Sequence, residues 1–96
     1  MSREERIKLY EAAISKWGVE AQRNMAFEEI GELLTALARD RRGRVTPEEI
    51  ITELADVTIM CEQLATVLGF DLYKLEIERK LLRLRDEKLK LNGNNN

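Results

Sequence analysis

Histidine is absent from this chain of 96 residues, cysteine and proline each occur once, and aromatic residues make up only 5%. Without histidine there is no imidazole for acid/base catalysis or metal binding, and the Glu-x-x-His pattern of ferritin-like di-iron proteins is excluded. A single cysteine excludes a disulfide or a thiolate zinc cluster within one subunit. We therefore expect Cys61 to be a small buried apolar residue.

Long hydrophobic runs are also missing. No apolar stretch approaches the roughly 18 residues of a membrane span, and the N-terminal residues 1–6 lack the hydrophobic stretch of a signal peptide. Sixteen Lys and Arg against eighteen Asp and Glu leave a net charge of −2, which provides no basic field for nucleic acid. These features predict a cytoplasmic protein without a membrane or nucleic-acid partner.

The residues that are present favour a single helical domain. Hydrophobic residues make up 44% and charged residues 35% of the chain, which is typical of an all-α domain with much surface. A chain of this size buries only about 60 to 68% of its unfolded surface when alone, so self-association is expected. We predict one all-α domain over residues 1–91 and a polar, flexible tail over residues 92–96.

Helix start and stop signals predict four helices. Ser2 and Thr46 each open a capping-box pattern, Gly18 and Gly69 can each end a helix, and Asp71 can cap the last one. The predicted helices cover residues 3–17, about 19 or 24 to 39, 47–68 and 72 to about 91.

The predicted fourth helix has two apolar edges. One edge can pack within the subunit and the other against a neighbour, which predicts a four-helix bundle-like subunit that oligomerises through helical faces. The alternative is a wide monomer core that takes both edges. The two edges are Tyr73, Ile77, Leu84 and Leu91, and Leu75, Leu82 and Leu89.

Two pairs of acidic residues stand out from the helical pattern. At about 100° per residue, Glu53 lies inside the apolar arc of the third helix and Asp56 lies beside it. On the second helix, Glu29 and Glu32 stand one turn apart at the rim of an apolar stripe. Because neighbouring helix axes pack about 8 to 10 Å apart, the four carboxylates can converge on one small volume.

Such a carboxylate cluster needs protonation, pairing with Lys or Arg, or a bound cation. Ligands that offer only oxygen favour a hard ion such as Mg²⁺ over zinc or copper. Magnesium in proteins usually keeps water ligands and bridges to substrate phosphates. The pattern therefore indicates a nucleotide phosphate site.

The sequence at this point resembles the MazG-like all-α nucleoside triphosphate pyrophosphohydrolases. The resemblance covers about residues 16–80 and is strongest in residues 28–33 and 53–57. Members hold Mg²⁺ with E-x-x-E and E-x-x-D motifs on adjacent helices, cleave a nucleoside triphosphate to the monophosphate and pyrophosphate, and commonly form dimers or tetramers. The resemblance implies four metal ligands in this chain: Glu29, Glu32, Glu53 and Asp56.

The implied reaction is attack of water on the α-phosphorus with pyrophosphate leaving. A carboxylate that is not fully used in coordination can accept the proton from water. Glu32 and Glu53 are both candidates for this base, and the sequence does not choose between them.

Substrate contacts beyond the metal are predicted at two places. Family members often carry Lys and then Asn on the last helix; Lys80 fits this pattern, whereas Arg83 stands at the Asn place. Trp17, with Lys16 and Gln22 nearby, could stack on a nucleobase, although its helical spacing favours core packing.

A dense basic segment follows the second helix. No aromatic residues interleave its arginines, which favours a solvated loop over a phosphate clamp or a nucleic-acid patch. Its members are Arg39, Arg41, Arg42 and Arg44.

Taken together, the residues and the resemblance predict a Mg²⁺-dependent pyrophosphohydrolase of (deoxy)nucleoside triphosphates that acts in house-cleaning or pool control. Two alternatives stay open. One is phosphoribosyl-ATP pyrophosphohydrolase of histidine biosynthesis, and the other is a non-catalytic helical oligomerisation or adaptor protein whose inward acids pair with arginine.

Overall fold

The computed structural model describes residues 1–91 of the chain, which form helices joined by short connections and contain no strand. This arrangement confirms the predicted all-α class. The predicted tail over residues 92–96 lies outside the described residues. The α-helices are α1 (Arg3–Trp17), α2 (Val19–Asp40), α3 (Pro47–Leu68) and α4 (Phe70–Arg83), and a π-helical turn, Leu84–Lys88, continues α4.

The predicted capping boxes are present at the starts of α1 and α3. The Ser2 hydroxyl accepts a hydrogen bond from the Glu5 backbone N–H at 3.1 Å, and the Thr46 hydroxyl accepts one from the Glu49 N–H at 3.2 Å. At the ends of α1 and α3, Gly18 and Gly69 take φ values of +89° and +129°, which side chains other than glycine rarely adopt. The glycines therefore end these helices and permit an immediate change of direction.

The start of α4 differs from the prediction. The helix begins at Phe70 directly after Gly69, and no side chain caps it. The Asp71 carboxylate instead accepts a hydrogen bond from the Arg3 guanidinium at 2.7 Å and so ties α4 to the start of α1. The predicted Asp71 cap is therefore wrong, because Gly69 occupies the N-cap position and Asp71 lies within the first turn of the helix.

Helix α3 lies at the centre of the subunit. Across residues 1–91, the backbones of α1, α2 and α4 all approach α3, and the α2–α3 contact is the most extensive. The backbone of α1 also approaches α2, whereas the backbone of α4 approaches only α3 and its own continuation, and α4 meets α1 through side chains. The subunit is accordingly elongated, with dimensions of 53 × 38 × 24 Å.

The hydrophobic core of the isolated subunit is thin. Within the described part of the chain, few apolar side chains are buried, and most of these are alanines. None of them is less than 2% exposed. On α4, Leu75 is 67% exposed and Ile77 39%, so both predicted apolar edges lie largely on the surface. Cys61 is also exposed, contrary to the expectation of burial. The buried apolar residues are Tyr10, Ala26, Ala36, Met60 and Ala65.

Within residues 1–91, no helix combines the length and the apolar character that crossing a bilayer requires.

Candidate metal centre

The candidate site lies on the hairpin formed by α2 and α3. The connection over residues 41–46 is short, so the chain returns directly and the two helices pack against each other. Glu29 and Glu32 lie on α2, and Glu53 and Asp56 lie on α3. Both acidic pairs therefore stand on rigid helices, as the sequence predicted.

Three of the four predicted ligands come together. Glu29, Glu53 and Asp56 each offer a carboxylate oxygen, and these oxygens all lie within 4.8 Å of one another. The three side chains are half-buried, so protein atoms and not bulk solvent surround part of the cluster. A group of oxygens at this separation can share one cation.

Glu32 is more exposed than the other three and faces a pocket of about 570 Å³, which Glu53 also lines. Burial raises the pKa of Glu29 above its ordinary value, and the negative charges of Glu32, Asp56 and Glu53 raise it further. Burial likewise raises the pKa of Glu53, with added repulsion from Glu32 and Asp56. A hydrogen-bonding contact with Glu32 also raises both pKa values, so Glu32 belongs to the cluster although it is not one of the three carboxylates grouped within 4.8 Å.

Two carboxylate oxygens of the cluster have no partner. Glu29 Oε2 and Glu53 Oε2 are buried and accept no hydrogen bond. None of the ion pairs within residues 1–91 involves any of the four predicted ligands. Buried polar atoms normally have a hydrogen-bond partner, so these oxygens are suited to a cation.

The predicted phosphate ligands on α4 lie elsewhere. Lys80 Nζ is 3.7 Å from the Glu76 carboxylate, and Arg83 Nε is 3.2 Å from that of Glu87. Neither residue lines the pocket beside the acidic cluster, because α4 does not approach α2 in this subunit.

The predicted base-stacking group is also separate from the pocket. Trp17 is 58% exposed, and Lys16 Nζ lies 5.2 Å from the centroid of its ring. The favoured prediction of core packing for Trp17 is therefore wrong. Gln22 is buried within the subunit, and none of the three residues lines the pocket.

Sequence reasoning missed a second charged cluster, on the other side of α3. The Glu62 carboxylate accepts a hydrogen bond from the Tyr10 hydroxyl at 2.5 Å and forms an ion pair with Arg6. Glu62 stands nine residues beyond Glu53, which is half a turn away in phase, and so faces α1 and not α2. The one available signal was the spacing of Arg6 and Tyr10 on one face of α1.

Known protein families, curated proteins and solved structures were compared with this chain, and none matches it.

Proposed function

We propose that this protein is a Mg²⁺-dependent nucleotide pyrophosphohydrolase that cleaves (deoxy)nucleoside triphosphates to the monophosphate and pyrophosphate. One observation carries the proposal: carboxylates from two helices converge within 4.8 Å, and two of their buried oxygens lack any partner. The adjacent pocket of about 570 Å³ supplies room for a phosphate chain. The resemblance of residues 28–33 and 53–57 to MazG-like enzymes supports the same reaction.

The donor atoms suit Mg²⁺. They are all carboxylate oxygens, and the chain has no histidine to favour a softer metal. Glu29, Glu53 and Asp56 would hold the ion, with Glu32 beside them. When bound, Mg²⁺ neutralises phosphate charge and makes water more acidic.

The protein's own part in the reaction is proton transfer and positioning. Oxygen of the attacking water forms a bond to the α-phosphorus, and the bond from that phosphorus to the bridging oxygen of pyrophosphate breaks. We assign the proton acceptor to Glu32, because its carboxylate faces the pocket and lies outside the tight group of oxygens. Glu53 belongs to that tight group and is better suited to holding the ion.

Self-association forms part of the proposal. Large apolar side chains lie exposed on several helices, and the isolated subunit has little core. Burial of these side chains between copies favours a homodimer or homotetramer, and could bring Lys80 or Arg83 of one subunit to the pocket of another. A monomer mass by analytical ultracentrifugation at micromolar concentration would contradict this part.

The natural setting of the reaction is the cytoplasm, where nucleoside triphosphates are made and used. House-cleaning or pool control is the role we propose. The competing adaptor function needs arginines paired with the inward acids, and the ion pairs within residues 1–91 join other residues.

A panel of nucleoside triphosphates and phosphoribosyl-ATP, incubated with the protein and Mg²⁺, tests the proposal. Phosphorus NMR distinguishes pyrophosphate from orthophosphate, and a sample with excess chelator provides the metal-free control. We expect pyrophosphate in the presence of Mg²⁺ only. Orthophosphate alone would mean that a different bond breaks, and absence of turnover with every compound would contradict the enzymatic function. Preferred cleavage of phosphoribosyl-ATP would assign the protein to histidine biosynthesis.

A further inference from the structure

The four arginines at and after the end of α2 do not occupy equivalent places. Arg39 lies in the last turn of α2, whereas Arg41, Arg42 and Arg44 belong to the connection to α3. Only Arg39 of these four lines the pocket beside Glu32 and Glu53. The basic segment therefore contains one residue that the fold directs to the candidate site.

Helical geometry explains why Arg39 reaches this pocket. Arg39 stands seven residues beyond Glu32, which places the two on the same face of α2, about 20° apart in phase and about 10 Å apart along the axis. Side chains of an α-helix lean toward its N-terminus, so the long Arg39 side chain leans back toward the acidic cluster. Arg39 thus lines the pocket one to two turns beyond Glu32, at the end away from the acidic cluster.

Arg39 is available to a ligand. Its guanidinium takes part in none of the ion pairs found within residues 1–91, although Glu28 and Glu49 line the same pocket. The Glu49 carboxylate accepts a hydrogen bond from the Thr46 backbone N–H at 3.2 Å, so the helix cap already uses it. Arg39 is the one cationic side chain among the described residues that line this pocket.

We infer that Arg39 binds the β- and γ-phosphates of the nucleoside triphosphate, at the end of the pocket away from the carboxylate cluster. This inference rests on the proposed function. When the bond to the α-phosphorus breaks, its electron pair stays on pyrophosphate, where negative charge is greatest. A guanidinium binds such oxygens through two parallel hydrogen bonds and keeps its charge at every working pH.

The test is calorimetric titration of the whole chain with pyrophosphate in the presence of Mg²⁺. Arg39→Ala should weaken pyrophosphate binding by about tenfold or more, as expected for a lost charge-assisted hydrogen bond. Arg39→Lys should recover part of the loss, because it restores the charge without the bidentate geometry. The matched control, Arg42→Ala, removes the same charge from an exposed residue that does not line the pocket, and should change binding by less than about twofold.

A second titration, with a nucleoside monophosphate, tests the orientation. Arg39→Ala should leave the affinity for the monophosphate nearly unchanged, since that product lacks the phosphates that Arg39 binds. Equal losses for Arg39→Ala and Arg42→Ala, or a loss confined to the monophosphate, would overturn the inference.

Two further outcomes separate this inference from the proposed function. Magnesium-dependent pyrophosphate binding that Glu53→Gln abolishes and Arg39→Ala leaves intact would overturn the role of Arg39 alone. Failure of the unaltered chain to bind pyrophosphate with Mg²⁺ would overturn both.

Discussion

Helix α3 carries half-buried carboxylates on two opposite sides, and their surroundings differ. Glu62 faces α1, where the Tyr10 hydroxyl and the Arg6 guanidinium both bind its Oε1 atom. Glu53 faces α2, where its nearest charged neighbours are other carboxylates and one of its oxygens has no partner. Partial burial of an acid on a helix is therefore a poor sign of function by itself. The presence or absence of a compensating partner is the informative difference.

The largest expected effect comes from Glu53. Loss of an outer-shell partner of a metal lowers activity by about 10- to 100-fold. Replacement of Glu53 by Gln should lower Mg²⁺-dependent pyrophosphate release by more than this, because Glu53 is a proposed direct ligand. The metal-free variant should be as stable as the parent or more so, because the change removes repulsion with Glu32 and Asp56. Initial rates and thermal melts, each with and without Mg²⁺, measure both effects.

The control for this change is Glu48→Gln, an exposed glutamate on the same helix that does not line the pocket. It should keep the activity and the rise in Tm that Mg²⁺ produces in the parent chain. Loss of stability in Glu53→Gln without any dependence on Mg²⁺ would instead identify Glu53 as a structural residue.

An intermediate effect is expected on the other side of α3. Tyr10→Phe removes the hydroxyl that donates to Glu62 and should lower the free energy of unfolding by about 1–3 kcal/mol. Urea denaturation measures this loss, which should be the same with and without Mg²⁺ while activity is retained. Tyr73→Phe is the matched control, because the Tyr73 hydroxyl forms no hydrogen bond with the rest of residues 1–91. Equal losses from the two changes would mean that the Tyr10 hydrogen bond contributes nothing.

The smallest expected effect concerns pH. Glu29 and Glu53 have raised pKa values in the folded chain relative to an ordinary value of 4.5, so the folded state binds more protons than the unfolded state. Their contribution to stability is full below pH 4.5 and is lost as the pH rises through the raised values. Without metal, Tm should therefore fall with rising pH more steeply in the parent chain than in Glu53→Gln.

Magnesium should reduce this pH-dependent fall in the parent chain, because it binds the ionised carboxylates. Thermal melts over a pH series, with and without Mg²⁺, measure the difference between the two proteins. The comparison matters because Glu76 and Asp86 have lowered pKa values, caused by Arg79 and Arg85, and shift stability with pH in the opposite direction in both proteins. An equally steep fall of Tm with pH in parent and variant would show that repulsion between the carboxylates of the cluster does not affect stability.

The helix boundaries that local chemistry determines were predictable. Capping boxes at Ser2 and Thr46 and glycines at 18 and 69 act within a few residues of the chain, and the structure confirms all four. At the start of α4, Gly69 is the N-cap, and Asp71 lies in the first turn, where it pairs with Arg3, which is distant in sequence. The Asp71 cap was predicted wrongly because Gly69 serves both as the C-cap of α3 and as the N-cap of α4.

The candidate site was predictable to a similar extent. Helical phase and the short turn between α2 and α3 were enough to bring Glu29, Glu53 and Asp56 together. The helical phase of α1 did not predict that Trp17 lies on the surface. Its exposure depends on which helices pack against α1, and this is a property of the tertiary structure. The special position of Arg39 was not predicted, because the predicted helix end at residue 39 does not show which of the four arginines lines the pocket.

The hairpin of α2 and α3 contains the carboxylates proposed to hold the metal and the arginine proposed to bind phosphate, from Glu29 to Asp56. Because these residues lie in one continuous segment, the segment can be inherited, duplicated or transferred to another protein as a single unit. If the proposed function is correct, variation in α1 and α4 would alter the association of subunits without changing the proposed metal and phosphate site.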